Sequence, residues 1–400
     1  MFHLISGVVM AMGVLYLYAR CLRPLRCSPT VKALCAAGIA LAAFKLQVFR
    51  LLFGGSVVQE LPYPVLIVSG WVYAVVILWV LLTLLWDVAL GLARLPGLPG
   101  LSRLLGQLRA PGRAPRTVEG GAARRVAVLL TLACVLSAVG VWQAVGVPSV
   151  HRVTLRVRHL PPALEGLRMV QLSDLHISPL FRRAWTEAVV QRANALQPDI
   201  IVLTGDMIDG GTAERAADVA PLAQLRSRYG VYACLGNHEY YSGVNAWYRE
   251  FTRLGITVLR NSHAVVRVGT ERLVLGGVTD AVAPNFGEPG PDAARAFAGS
   301  PAGWRVLLAH RPSEALHPAV RGVSAQLSGH THGGQVFPLS LLVAWFNGGF
   351  LSGEYAVGDT RVYVSRGAGL WGGFPVRLGE WAEIVEITLR GDGAGADTAR

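Results

Sequence analysis

Charge is scarce in this 400-residue chain: Asp, Glu, Lys and Arg make up only 16% of it, and the mean hydropathy is +0.42. Such a chain is too apolar to be an ordinary soluble protein. Acidic residues are nearly missing from the first 150 positions, which hold 13 Lys/Arg against 3 Asp/Glu, whereas residues 151–400 hold 24 against 22. The net charge of +12 is therefore concentrated among long apolar runs. There it reports membrane topology, and no nucleic-acid partner is expected. Cysteine is sparse as well. Cys21, Cys27, Cys35, Cys134 and Cys234 show no metal-ligand spacing, and with only Cys234 beyond residue 150 no disulfide framework is expected there. The sequence has no internal repeat.

Uninterrupted apolar sequence, by contrast, is abundant. Four runs, residues 4–19, 33–53, 65–86 and 126–147, are expected to cross a bilayer as helices. The first is followed by Arg20, Arg23 and Arg26, the reverse of a signal peptide, whose basic residues precede its apolar run. In the second, Lys45 and Arg50 fall late and are expected to snorkel to the interface. The third carries no charge, and Pro148 stops the fourth. Loop one (Arg20, Arg23, Arg26, Lys32) and loop three (Arg103, Arg109, Arg113, Arg116, Arg124 against Glu119) are basic, whereas loop two offers Glu60. Positive-inside reasoning puts loops one and three in the cytoplasm. A globular domain over residues 149–390 then faces the periplasm or exterior of a cell (inner) membrane. Residues 391–400, small and polar, read as a disordered tail.

Within the globular part, strands and helices alternate. Val153–Val157 and Leu167–Leu172 read as strands, and the second ends in Ser173-Asp174-Leu175-His176. Strand alternation would point Asp174 and His176 to one side. A helix over 184–196 leads to an apolar strand, 199–204, that ends in Gly205-Asp206-Met207-Ile208-Asp209. After a second helix, Val231–Leu235 ends in Gly236-Asn237-His238-Glu239. This βαβ rhythm implies a parallel sheet, buried on both faces, with a site at the carboxyl ends of its strands. Later strands, Leu273–Leu275, Arg305–Ala309 and Ala325–Leu327, deliver His310, His330 and His332, and Trp381–Leu389 closes a sheet. Singly, each of these polar residues reads equally well as a turn or cap. The order Asp-x-His, Gly-Asp-x-x-Asp, Gly-Asn-His-Glu, His, Gly-His-x-His, all at strand ends, is the signature of a metal cage. Its oxygen and imidazole donors suit Mn, Fe, Zn or Co and disfavour soft copper.

Across residues 167–335 these motifs resemble the calcineurin-like metallophosphoesterase superfamily. Gly236-Asn237-His238-Glu239-Tyr240-Tyr241 and Gly329-His330-Thr331-His332-Gly333-Gly334-Gln335 are similar to its membrane-bound or exported bacterial branch. One departure is Ala382-Glu383-Ile384, where that branch has Pro-Glu-Ile. The resemblance implies a β-sandwich flanked by helices (α/β/β/α) and two divalent metal ions. It assigns Asp174, His176 and His332 to one ion, Asn237, His310 and His330 to the other, and Asp206 to both, with a hydroxide between the ions as nucleophile. His238 would contact the phosphoryl oxygen or protonate the leaving alkoxide; the plain alternative is a hydrogen bond that supports a ligand. Asp209 and Glu239 would support ligands. Arg366 and Arg377 would hold a substrate phosphate.

Val336–Leu351 is unusually apolar for a stretch beside a phosphate site, with Phe337, Leu339, Leu341, Leu342, Val343, Trp345, Phe346 and Phe350. It is either a core segment under a loop or a lip for a lipid chain or bilayer. With the anchor, it directs the expectation to a phosphorylated, lipid-linked substrate. Some superfamily relatives cleave UDP-2,3-diacylglucosamine, a cytoplasmic substrate, which the expected topology disfavours. The expectation of another class is a metal-binding membrane sensor or scaffold without turnover.

Overall fold

Apolar runs become helices in the first part of the chain, because a helix satisfies every backbone amide within its own segment, as a hydrocarbon environment requires. The computed structural model describes residues 2–53, 60–93 and 118–392. The chain divides into two compact units, residues 1–142 and 143–400. In the first, α1 (Phe2–Leu17) runs on through a π-helical turn to Leu22, followed by α2 (Pro29–Ala43), α3 (Lys45–Phe53), α4 (Tyr63–Leu92) and α5 (Val118–Val145). Leu4–Leu22, Tyr63–Leu92 and Gly121–Val145 are each long and apolar enough to cross a membrane.

The single helix expected over 33–53 is instead α2 and α3, which meet at a 70° bend. The break falls at Phe44, directly before the polar residues Lys45, Gln47 and Arg50. Lys45 does not snorkel outward: it is buried, its ammonium 5.7 Å from the ring centres of Phe49 and Tyr73. Asp87, near the end of α4, is matched by Arg20 at 2.6 Å and accepts the Tyr16 hydroxyl at 2.7 Å. Of the expected loop-three arginines, Arg103, Arg109, Arg113 and Arg116 lie outside the described residues, as does the tail from 393 on.

The second unit holds twelve described strands in two six-stranded sheets. Sheet one runs β1 (Ser149–Val157), β12 (Glu383–Gly391), β2 (Arg168–Leu172), β3 (Ile200–Thr204), β4 (Val231–Cys234), β5 (Thr257–Val258). Sheet two runs β10 (Gly353–Val357), β11 (Thr360–Val364), β9 (Ala325–Ser328), β8 (Trp304–Leu308), β7 (Glu271–Gly277), β6 (Ser262–Val268). From β2 to β5, and from β7 through β8 and β9 to β11, neighbours are parallel; β12 against β2, β6 against β7 and β10 against β11 are antiparallel. Both sheets are thus mixed around a parallel centre, rather than the one parallel sheet that the βαβ rhythm implies.

The sheets pack face to face. Leu155, Met169, Ile200, Val202 and Ile387 of sheet one share a core with Leu273, Leu275, Val306, Leu308, Leu327 and Tyr363 of sheet two. Burying each such aliphatic side chain contributes roughly 1.5–3 kcal/mol. The outer face of sheet one is covered by the crossovers α6 (Arg183–Ala195), α7 (Thr212–Val219), α8 (Asn237–Tyr241) and α9 (Val244–Arg253). On sheet two, Ala293, Ala296 and Phe297 of α10 (Ala293–Phe297) pack against Val274 and Leu307. The result is the α/β/β/α sandwich implied by the resemblance. Its parallel centres bring the carboxyl ends of strands from both sheets together, and there the polar motifs lie.

Candidate metal centre

Five of the seven candidate ligands leave their strands through a backbone reversal. Nine non-glycine residues among those described have positive φ, and five of them are Asp174, His176, Asp206, His330 and His332, at φ 51°, 44°, 53°, 72° and 51°. Asp and His are the side chains that tolerate this region best after glycine and asparagine, yet each such residue still costs roughly 1–3 kcal/mol and persists only where its surroundings hold it. Asp174 and His176 therefore converge by left-handed turns rather than by strand alternation. Backbone bonds from Asp174 N to the Gly205 carbonyl and from His176 N to the Asp206 carbonyl, both 3.0 Å, zip the two loops together.

Two glycines are required by close approach. A Cβ on Gly236 would sit 2.2 Å from Asp206 Oδ1, and one on Gly329 would sit 2.2 Å from Asp174 Oδ2. Either methyl would fill the cage.

The side chains form three overlapping groups: Asp174, His176 and His332; Asp206, His310 and His330; His176, Asp206 and His238. His176 Nε2 and His332 Nε2 are 3.2 Å apart, as are His310 Nε2 and His330 Nδ1. Asp206 Oδ2 lies between the pairs, 3.2 Å from His310 Nε2 and 3.8 Å from His176 Nε2. The outer nitrogens of His176 and His310 are engaged elsewhere: His176 Nδ1 faces Asp209 Oδ2 at 3.2 Å, and His310 Nδ1 donates to the Thr204 carbonyl at 2.8 Å. Asn237, by contrast, turns its amide oxygen to Arg311 Nη2, at 3.5 Å.

Electrostatics point the same way. Burial pushes His330 and His332 well below the usual histidine range, helped by Arg311 beside the first and His176 beside the second. Burial thus favours the neutral imidazole at both. Burial would raise Asp206, but His310 and His238 outweigh it and hold the carboxyl well below its ordinary value. His310 is drawn down by burial and up to about 10 by Asp206 and Asp174. The cage thus attracts positive charge, whether as protons or as metal ions. Four ring nitrogens converging on a shared carboxylate are a donor set that fits a pair of divalent cations.

Around these groups lies a supporting layer. Glu239 accepts from the amides of Asp206, Met207, Ile208 and Gly236 at 2.6–3.3 Å, and burial, with Asp206 nearby, raises its carboxyl to about 8 against those bonds. Asp174 accepts from the Ser173 hydroxyl at 2.5 Å and from His330 N at 3.1 Å. Asp209 faces Nδ1 of both His176 and His238, and these two imidazoles hold its carboxyl low against burial. His238 Nε2 is left pointing inward, 3.9 Å from Asp206 Oδ2, and Asp206 and Asp209 raise the ring to about 9 against the effect of burial.

The two expected phosphate contacts are spent otherwise. Arg377 is fully buried and donates to the carbonyls of His332, Arg366, Gly367 and Gly369 at 2.7–3.3 Å, so it braces the loop behind His332. Arg366 is matched by Glu380 at 2.7 Å and Glu383 at 3.3 Å. Arg311, which the motif reading passed over, sits at the site instead. Asp280 holds its guanidinium at 2.9 and 3.2 Å, and Nη1 reaches His330 Nε2 at 3.2 Å. Its only signal in the sequence is that it follows His310.

Residues 167–334 match the family described as calcineurin-like phosphoesterase. The chain is 36% identical over 303 residues to a "Transmembrane protein with metallophosphoesterase domain" of Danio rerio, covering 73% of this chain and 69% of that one. It is 38% identical over 295 residues to the protein of the same name in Bos taurus, covering 70% and 66% of the two chains. It is also 32% identical over 268 residues to an uncharacterized metallophosphoesterase of Campylobacter jejuni, covering 66% and 69%. The first of these likenesses takes in more of the chain than the second compact unit holds, so it extends into the apolar helices.

Proposed function

This chain belongs to the calcineurin-like metallophosphoesterase family, and from that premise we propose that it hydrolyses a phosphomonoester, phosphodiester or pyrophosphate bond in a lipid-linked substrate. The observation that carries the reading is the position of Asp206 Oδ2 between the His310 and His176 nitrogens, within two groups that share it. Asp174, His176 and His332 would hold one ion, Asn237, His310 and His330 the other, and Asp206 both; Asn237 needs only to release Arg311 to do so. Bound, the two cations supply Lewis acidity, neutralising phosphoryl charge and acidifying the attacking water.

The chain's own groups do the rest. His238 Nε2 donates a proton to the leaving oxygen, and Asp209 behind Nδ1 keeps that ring oriented and charged. Arg311, its Nε and Nη2 held by Asp280 and its Nη1 turned to the centre, offers its charge to the non-bridging oxygens. No serine or cysteine nucleophile is needed.

The lipid-linked class is supported by the helices long enough to cross a membrane. The basic loops support an extracytoplasmic domain in a cell membrane. Loops one and three are both basic, so an even number of crossings separates them, which favours counting α2 and α3 together as one crossing.

The test uses full-length protein in detergent. Elemental analysis is expected to find transition ions, and bis(p-nitrophenyl) phosphate to be cleaved in a chelator-sensitive way. Asp206→Ala should lower both metal content and turnover, the latter by roughly 10³-fold, the kinetic equivalent of several kcal/mol of charge stabilisation. Undiminished turnover by Asp206→Ala would end the reading.

A further inference from the structure

The segment between the His-x-His turn and β10 does not belong to the core. Helix α11 (Leu339–Phe346), Leu-Ser-Leu-Leu-Val-Ala-Trp-Phe, has no charged residue and no buried one. Phe337, Leu341, Leu342, Trp345 and Phe346 form one outward stripe at helical spacing, and the last two are 74% and 75% exposed. Leu316, against Gly348, widens the patch. The expectation of a core segment under a loop therefore gives way to the lip.

The helix is nonetheless tied in place. It leaves from the turn His332–Gly334, a Cβ on Gly334 would sit 2.5 Å from Ser340, and Asn347 Nδ2 closes its last turn on the Val343 carbonyl at 2.8 Å. At its far end the Leu351 carbonyl accepts the hydroxyl of Thr331, the residue between the two histidines. Both feet of the excursion thus stand on the ligand-bearing loop, which makes α11 a fixed rim of the site.

We propose that this stripe docks into the interfacial layer of the bilayer that carries the chain, so that substrate enters the site from the membrane plane. The occupant follows from the chemistry. A stripe of Leu, Phe and Trp without one charge or amide side chain has nothing to set register against a protein surface, but suits the boundary between headgroups and acyl chains. The chain brings that bilayer with it. The last span ends at Val145, and only Gly146-Val147-Pro148 precede β1. Those three carbonyls are themselves bonded to α6, by Trp185 Nε1 at 3.1 Å and Arg192 Nη1 at 3.1 and 2.6 Å. Substrate entry from the membrane rests on the phosphoesterase reading; the docking does not.

Full-length protein in vesicles of phosphatidylcholine and phosphatidylglycerol, doped with a phosphatidylcholine bearing an acyl diazirine, tests this. After photolysis, mass spectrometry should place lipid adducts on residues 337–346 as well as on the spans. The pair Trp345→Glu, Phe346→Glu should lose about tenfold of the 337–346 adducts, keep those on the spans and retain aryl phosphodiester turnover. Adducts on the spans but none on 337–346 overturn the proposal, and so do crosslinks there to a second copy of the chain. Wild-type protein that labels at 337–346 but cleaves no aryl phosphodiester supports the docking and sinks the phosphoesterase reading.

Discussion

The metal cage and the α11 rim break the same rule in opposite directions. In the cage, Asp174, His176, Asp209 and His310 are buried polar groups gathered at one point; on the rim, Trp345 and Phe346 are large apolar groups turned outward. Neither arrangement stabilises the isolated fold, since burying charge and exposing aromatic surface both cost free energy. Each makes sense when a missing partner is restored, cations for the first and an apolar layer for the second. The two departures meet where the His330–His332 turn runs on into α11, and they match the proposed substrate, phosphoryl at one end and lipid at the other.

The comparison is broken most severely at His238. His238→Gln should lower kcat by about 10²–10⁴-fold while metal content holds, because it removes a proton donor and no ligand. A substrate with a p-nitrophenol leaving group, which needs little protonation, should be hurt less than an alkyl ester; equal losses would make His238 a ligand support instead. Asp209→Asn comes next, at about 10–100-fold, since it loosens both His176 and His238; its elemental analysis should show reduced occupancy, unlike that of His238→Gln. Arg311→Lys keeps the charge but not the fork, and should raise KM by roughly tenfold with kcat little changed. An unaltered KM would return the phosphate contact to some other cation. Smallest is the effect of Trp345→Ser on thermal unfolding in detergent. An exposed side chain whose ring contact is with the equally exposed Phe346 should shift the midpoint by less than about 2 °C, whereas a larger drop would show that the rim is core after all.

The gathering of the Asp and His side chains was legible because each follows an apolar strand run and precedes a helix or loop, a pattern set by local sequence. The spacing of strand and helix signals likewise revealed the α/β character. The left-handed turns that aim Asp174 and His176 were not legible, since either residue is also compatible with extended backbone. Arg366 and Arg377 misled because a cation's position along the chain does not say what consumes its charge. For Arg377 that is four carbonyls and for Arg366 two carboxylates, all brought near by the fold. Arg311 was hidden for the same reason, as Asp280, the residue that orients it, is 31 positions away. The bend between α2 and α3 escaped because hydropathy registers apolar length and not direction.

Glu239 has a mechanical consequence. One carboxylate grips amides from the loops after β3 and β4 together, so the spacing of Asp206 and Asn237, which would hold an ion between them, is dictated by protein scaffold. An ion of different radius meets a gauge that does not rescale, and discrimination among divalent ions should show in the geometry tolerated as much as in raw affinity.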